Sequence, residues 1–453
     1  MQMKTNKIDF DNSGIKNSIM SLAIPMMCAQ FFALFYNIVD RIYIGNLPDN
    51  GESALGAIGI CFPVITIING FANLFGLGGT PLFSIAKGEK KNSEAEKIMS
   101  NSFWMLVFTG FILTVFILIF HKSILYLFGA SQNTYSYAST YILVYSFGTV
   151  FQMISLGMNP FINCQGFAKV GMMTVVVGTI VNLVLDPIFI FALDLGVCGA
   201  AIATLISQAI SAVWVMLFIT GSKPEIRLNL RKVVLNVKCV IDILKLGTAS
   251  FIMHCTDSLV LMVCNRMLFQ TGGDLYISIM TIINSVRQII QIPVTALTDG
   301  ASTVISFNYG AKKYEKVRKA IIFVTLGALL YTLLILVPIM ISPKLILSLF
   351  GRGQELILNG ANAMKIYFIG FFMMAFQYSG QCVFKSLNMP KYAVFFSVFR
   401  KVIIVVPLTL LLPKIWGVNG VFYAEAISNF VGGSICYITM SFVVRKFSLT
   451  NTC

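Results

Sequence analysis

Asn182-Leu183-Val184-Leu185-Asp186-Pro187 is the stretch whose reading decides the fold. It lies inside an apolar run, Gly171 to Leu193, long enough to cross a bilayer. A carboxylate at the centre of such a run costs at least about 2.5–3.5 kcal/mol, so an acid there is a candidate functional group. Asn182 and Asp186 are four residues apart and share one face of a helix. Pro187 removes a backbone donor and loosens the helix at that point. The stretch reads as a knot for a cation or a proton. The plainer reading is a helix end, with Asp186 stopping the segment and Pro187 following it.

The rest of the chain has the composition of a membrane protein. Its 453 residues are 57% hydrophobic and 11% charged, with a mean hydropathy of +0.83, whereas soluble domains carry about 25% charged residues. The apolar runs are continuous rather than alternating, which argues for helices and against a β-barrel. The expected fold class is all-α and polytopic. The polar N-terminus shows no small-residue cleavage site after a short apolar core, so the first apolar run is expected to act as an uncleaved signal. The ten cysteines are scattered without a CxxC pair and are expected to be buried free thiols. Only two histidines are present, which argues against a multi-histidine metal site.

Twelve apolar segments run roughly 19–45, 54–80, 98–120, 135–159, 171–193, 198–220, 243–269, 277–303, 320–341, 361–384, 393–412 and 420–443. Lysine and arginine concentrate in alternate loops, as in Lys87, Lys90 and Lys91, or Lys312, Lys313 and Lys316. The opposite loops hold only Lys122, Arg266, Lys344, Arg352 and Lys414. The positive-inside rule therefore predicts cytoplasmic termini on a multi-pass protein of the cell membrane. The net charge of +15 is topological, with some attraction to anionic lipid, and does not call for nucleic acid.

The chain also repeats itself. A shift of 222 residues lays Ser84 on Ser306, Gly88 on Gly310, Tyr145 on Tyr367 and Lys169 on Lys391. Each half holds six segments, an even number, so the repeats are parallel and relate by an axis along the membrane normal. The expected organisation is a six-helix lobe over 1–220, a cytoplasmic linker over 221–242 and a second lobe over 243–453. Two such halves rocking about a central site form a transporter architecture.

Depth brings several polar residues into one layer. At 1.5 Å rise per residue, Asp40 lies about 7 Å below the outer edge, Asp186 about 10 Å and Thr204 about 9 Å. Tyr36 and Asn37 lie within a turn of Asp40. Two carboxylates in low dielectric do not both ionise cheaply, so one holds a proton. Alternatively, carboxylates, amide and hydroxyl wrap a hard cation with oxygens. Asp40 also has a local reading, as a partner of Arg41.

The second half is not a copy here. Its ionisable groups include His254, Asp257, Arg287, Lys365, Arg400, Lys401 and Glu425. Asp257 and Arg287 both fall near mid-membrane, where an ion pair is one reading. Asp257 or Glu425 meeting a cationic substrate is another. Arg400 and Lys401 stand early in their segment and are expected to snorkel toward the cytoplasm. His254 reads as a packing residue. There is no GxxxxGK[ST], and Gly76-Leu77-Gly78-Gly79 follows no strand, so no nucleotide is expected. No nucleophile–base set appears, so no enzyme is expected.

With Tyr36-Asn37-Ile38-Val39-Asp40, Asn159 to Gly166, Asn182 to Pro187 and Gly196 to Thr204 in view, the chain resembles the MATE (multidrug and toxic compound extrusion) family, in its DinF/MepA-like bacterial branch. The resemblance spans essentially the whole chain. It implies twelve transmembrane helices in two parallel six-helix repeats. It also implies a first-half cation or proton site at Asp40, Asn159, Asn182, Asp186 and Thr204. Two positions depart from the family pattern: Asn163 stands where an arginine is frequent, and the tenth segment lacks the buried Asp of the NorM-like branch. The segment marking puts Asn159 near the cytoplasmic end, away from the other site residues.

The resulting expectation is a secondary antiporter exporting organic cations or drugs in exchange for H⁺ or Na⁺, with no other cofactor. Tyr36, Asn37, Asp257, Arg287 and Glu425 are its expected substrate-cavity residues. The rival is a lipid-linked oligosaccharide flippase, which needs a cationic cavity to hold a pyrophosphate.

Overall fold

The computed structural model describes residues 8–11, 13–45, 51–128, 130, 132–230, 235–348 and 354–450. The side chains of Asn37 and His254, singled out above, lie outside the described set, as does Arg352. Among the described residues every regular element is helical. In lipid the backbone has no water to bond, so apolar runs close their hydrogen bonds internally.

The first half holds α1 (Ile15–Gly45), α2 (Gly51–Gly88), α3 (Asn92–Leu127), α4 (Gln132–Phe147), α5 (Thr149–Cys164), α6 (Ala168–Pro187) and α7 (Gly196–Thr220). The long α8 (Val237–Gly310) follows and is broken at Gly273, where φ is +69°. Only a residue without Cβ takes that conformation cheaply, so one helix by hydrogen bonding is two spans by direction. Next come α9 (Tyr314–Ile341), the short α10 (Pro343–Ser348), α11 (Gln354–Phe368) and α12 (Met373–Ser386). The chain ends with α13 (Pro390–Val398), α14 (Val406–Leu411), the short α15 (Pro413–Trp416) and α16 (Asn419–Thr450).

Among the described residues, ten helices are long and apolar enough to cross a membrane. Two more spans are bent pairs: α4 with α5 at 57°, and α11 with α12 at 45°. With each bent pair counted as one span, the described residues give the twelve expected. The helices overrun the apolar segments at their basic ends; α2 continues to Gly88 and α8 to Gly310.

The chain forms two compact units. One contains Ile24–Phe251, the other Gly14–Ala23 and the chain from Ile252 onward. Neither is therefore a single run of sequence, and the boundary expected at 221–242 does not coincide with the compact units. Part of that stretch is bound to the first unit, where the Ile226 N–H donates to Gln165 Oε1 at 3.0 Å. The start of α8 packs there too. A Cβ at Gly247 would lie 1.8 Å from the Leu74 carbonyl oxygen, a backbone approach that only glycine permits. The first unit's core includes Ile68, Met99, Leu106 and Phe161. That of the second includes Ile283, Tyr367, Phe368 and Phe422.

Candidate functional site

The site in the first unit is built on α6 and α7. Pro187 closes α6, and the chain widens into a π-helical turn over Ile188–Ala192. Proline offers no N–H to the regular ladder, and π-turns recur at functional sites. Asn182 and Asp186 stand on the same face of α6, each 1% exposed. Asn182 Nδ2 donates to Asp186 Oδ1 at 3.2 Å and reaches Thr204 Oγ1, on α7, at 3.5 Å. Thr204 in turn donates to the Ala200 carbonyl at 2.9 Å, so its oxygen faces Asn182 as an acceptor. Asn182 Oδ1 and Asp186 Oδ2 are buried and have no hydrogen-bond partner. Buried acceptors left without donors fit a proton or a cation.

From α1 come Asp40, which is buried, and Tyr36, which lines the same space as Thr204. Asp40 and Asp186 lie near enough to feel each other's charge. The local pairing of Asp40 with Arg41 involves a side chain outside the described set.

These groups border a cavity of about 640 Å³. Tyr36, Asp40, Asn159, Asn182 and Thr204 line it, whereas Asp186 is not among the lining residues. Among the described lining residues, Asp40 carries the only formal charge; no Lys, Arg or His faces the space.

Asn159 lines the same cavity but stays away from the other site residues, as its segment position indicated: it bonds Gly171, about 16 Å along α6 from Asn182 at 1.5 Å rise per residue. Its helix α5 continues to Cys164 and joins α4 at a 57° bend. Asn159 Nδ2 donates to the Gly171 carbonyl at 3.1 Å. Gly171 is required for that fit. A Cβ there would lie 2.1 Å from Asn163 Oδ1 and 2.9 Å from Asn159 Oδ1. Asn163, in place of the family's frequent arginine, is a buried neutral neighbour in this packing.

Sequence reasoning missed much of the cavity's polar wall. With Thr204, already a candidate, Ser207, Gln208 and Ser211 line it from α7. Their i, i+3, i+4, i+7 spacing on an otherwise apolar helix was the available signal. Ser211 Oγ also donates to the Thr174 carbonyl at 3.2 Å, which holds α6 to α7. Gln152 Nε2 donates to Asn69 Oδ1 at 3.1 Å, and both line the space.

In the second unit Asp257, Arg287 and Glu425 meet in one ion cluster. Arg287 Nη2 lies 3.4 Å from Asp257 Oδ1, and Arg287 Nη1 lies 3.9 Å from Glu425 Oε1. Arg287 also donates to the Tyr367 hydroxyl at 3.1 Å. The expectation that Arg400 and Lys401 snorkel to the cytoplasm is wrong. They are 3% and 7% exposed, within a π-helical stretch over Phe399–Val405. Arg400 Nη1 donates to Glu425 Oε1 at 3.0 Å and to Asn429 Oδ1 at 2.7 Å, and Lys401 pairs with Asp257. The acids facing them, remote in sequence, draw the cations inward.

Up to twelve spans among the described residues, with polar clusters buried between them, define a multi-pass membrane protein, and the relatives it matches are transporters rather than enzymes. The sequence model of the MatE family matches residues 25–188 and 249–411, once in each half, and the chain belongs to that family. It is 23% identical over 442 residues to the multidrug export protein MepA of Staphylococcus haemolyticus (strain JCSC1435), covering 98% of this chain and 95% of that protein. It is 24% identical over 437 residues to MepA of Staphylococcus aureus (strain MSSA476), covering 96% and 94%. Among solved structures, MATE in the bent conformation superposes with a TM-score of 0.92 at 22% identity, covering 98% of each chain. The outward-facing conformation of a multidrug resistance MATE family transporter of the MOP superfamily superposes at 0.91 and 21% identity, covering 99% and 100%.

Proposed function

We propose that this chain is a multidrug exporter of the cell membrane, moving organic cations outward in exchange for H⁺ or Na⁺. The observation that carries the reading is the first-unit cavity, bordered by Asp40 with no cationic lining among the described residues. A lipophilic cation gains from such a wall through the carboxylate and through the faces of Tyr36, Tyr141 and Tyr145. The names of the MepA relatives support the same reading.

Asp40, Asn159, Asn182, Asp186 and Thr204 are the proposed coupling site. Binding there must favour one of two alternating states if it is to drive export. An ion or proton neutralises the buried acids and satisfies the unpartnered oxygens of Asn182 and Asp186. No further cofactor is required by this scheme. The basic loops assign both termini to the cytoplasm and bring them against anionic lipid.

The flippase reading requires cations free to hold a pyrophosphate. Lys365 is exposed, and Arg287, Arg400 and Lys401 are engaged by Asp257 and Glu425. The exporter accounts better for these observations.

The test is efflux of a fluorescent lipophilic cation from proteoliposomes under a pH gradient and a sodium gradient imposed separately. Efflux driven by one of them supports the exporter and names its ion. Silence under both, with folded protein, overturns it.

A further inference from the structure

The basic end of the first unit, assigned above to the cytoplasm, is covered by two segments that are not membrane spans. One is the chain before α1, over 8–11; the other is the linker after α7. Both belong to the first compact unit. Asp9 Oδ1 accepts from the Asp11 N–H at 2.9 Å, and the Asp9 carbonyl accepts from the Ser13 N–H at 3.0 Å. An Asp bonded to the backbone two residues on shapes a turn, and this one holds Phe10 buried. The linker buries Ile226 and Leu228.

Both segments dock on the turn that joins α5 to α6. The Ile8 N–H donates to the Gly166 carbonyl at 3.2 Å, and the Ile226 N–H donates to Gln165 Oε1 at 3.0 Å. Gly166 has a φ of +90°, and a Cβ there would lie 2.7 Å from the Ile8 carbonyl oxygen, so both the turn and the dock require glycine. Lys87, near the end of α2, ties the two segments together. Its Nζ lies 5.5 Å from the centroid of the Phe10 ring and 3.9 Å from Glu225 Oε2.

Polar side chains lead from the cavity to this dock. Asn159 lines the cavity, Asn163 follows one turn along α5, and Gln165 stands at the docked linker. Asn163 Oδ1 and Gln165 Nε2 are buried and have no hydrogen-bond partner, and Ser84 Oγ, one turn before Lys87 on α2, is in the same condition. Such groups are costly to leave unmet, and water meets them when the cover lifts. The docked state gains the apolar burial of Phe10, Ile226 and Leu228, whereas the lifted state gains hydration of the polar column. Two states opposed in this way are what a gate needs.

We propose that the 8–11 segment and the linker over 225–228 form an inner gate for the coupling ion. Docked on the α5–α6 turn, they close a polar path that runs from the cavity past Asn159, Asn163 and Gln165 to the cytoplasm. Lifted, they let the ion leave. Lys87 is the latch, held by the face of Phe10 and the carboxylate of Glu225. The inference rests on the coupling-site reading and adds to it the route by which the ion departs.

The experiment uses the full chain in proteoliposomes. Phe10→Ala loosens the latch and is expected to raise ion entry in the absence of dye about tenfold, with dye binding to the purified chain unchanged. Phe10→Cys with Lys87→Cys is expected to leak in the same way. Joining the two thiols with a short bifunctional methanethiosulfonate locks the cover down. The leak is then expected to fall to background and gradient-driven dye efflux to stop, and both return when dithiothreitol cleaves the link. The unaltered chain treated with the same reagent is the control for its native thiols.

Dye efflux at the unaltered rate with the link in place overturns the gate, because the cover then has no need to lift. A Phe10→Ala chain that melts earlier but gains no leak also overturns it, since the segment then only supports the fold. Both results leave the export reading standing. Absence of dye efflux from the unaltered chain under either gradient overturns the export reading itself, and the gate with it.

Discussion

Asn182 Nδ2 lies 3.2 Å from Asp186 Oδ1, one helical turn along α6 and directly before the π-helical turn that follows Pro187. The amide lines the cavity, and the buried acid it bonds is not among the lining residues. Replacing Asn182 by Ala removes the acid's hydrogen bond and an oxygen of the proposed coupling site. Asn182→Ala is expected to retain dye binding while the half-saturating concentration of the coupling ion rises about tenfold, or ~1.4 kcal/mol. Ion-gradient titration of efflux measures it.

Thr204 accepts from Asn182 and bonds back to Ala200. Thr204→Val keeps the shape and loses the oxygen. A side-chain hydrogen bond of this kind contributes about 0.5–1.5 kcal/mol. The expected result is a loss of severalfold to about tenfold in coupling-ion affinity, with little change in thermal stability. Thr204→Ser, which keeps the hydroxyl, should behave like the unaltered chain.

Gly171 closes against Asn159 and Asn163. Gly171→Ala places a carbon where Asn163 Oδ1 stands and is expected to cost about 1–3 kcal/mol, as overpacking does. The double change Gly171→Ala with Asn163→Ala should recover most of that loss. Thermal unfolding in detergent provides the comparison.

Glu425 is locked to Arg400 and near Arg287. Glu425→Gln leaves buried guanidinium charge uncompensated, which destabilises by about 3–5 kcal/mol. Arg400→Gln with Glu425→Gln removes one charge of each sign and should be far less damaging than the single change. Fluorescence-detected gel filtration after heating distinguishes the two.

The spans were legible because hydropathy reports burial in lipid directly, and the duplication because parallel halves keep the same loop punctuation. Asn182, Asp186 and Asp40 were legible as acids and an amide in the wrong solvent. Asn159 was placed near the cytoplasmic end and its bond to Gly171, early in α6, agrees; what the sequence did not show is that α5 meets α4 at a bend. No periodicity announces that bend, since the run is continuous through Gly148. Arg400 and Lys401 were misread for a related reason. Position along one segment gives depth, but their partners, Asp257 and Glu425, are supplied by α8 and α16. Ser207, Gln208 and Ser211 are small or neutral and cost little to bury, so they drew no notice until the cavity aligned them.

The most direct test of the central claim is ion flux evoked by substrate. Proteoliposomes holding the unaltered chain or Asp186→Asn are loaded with a fluorescent lipophilic cation, and entry of H⁺ or ²²Na⁺ is recorded as the dye leaves. The account predicts ion entry in step with dye exit for the unaltered chain. For Asp186→Asn it predicts no ion entry, with dye-for-dye exchange preserved. Ion entry still locked to dye exit in Asp186→Asn would contradict it and move the coupling site away from α6.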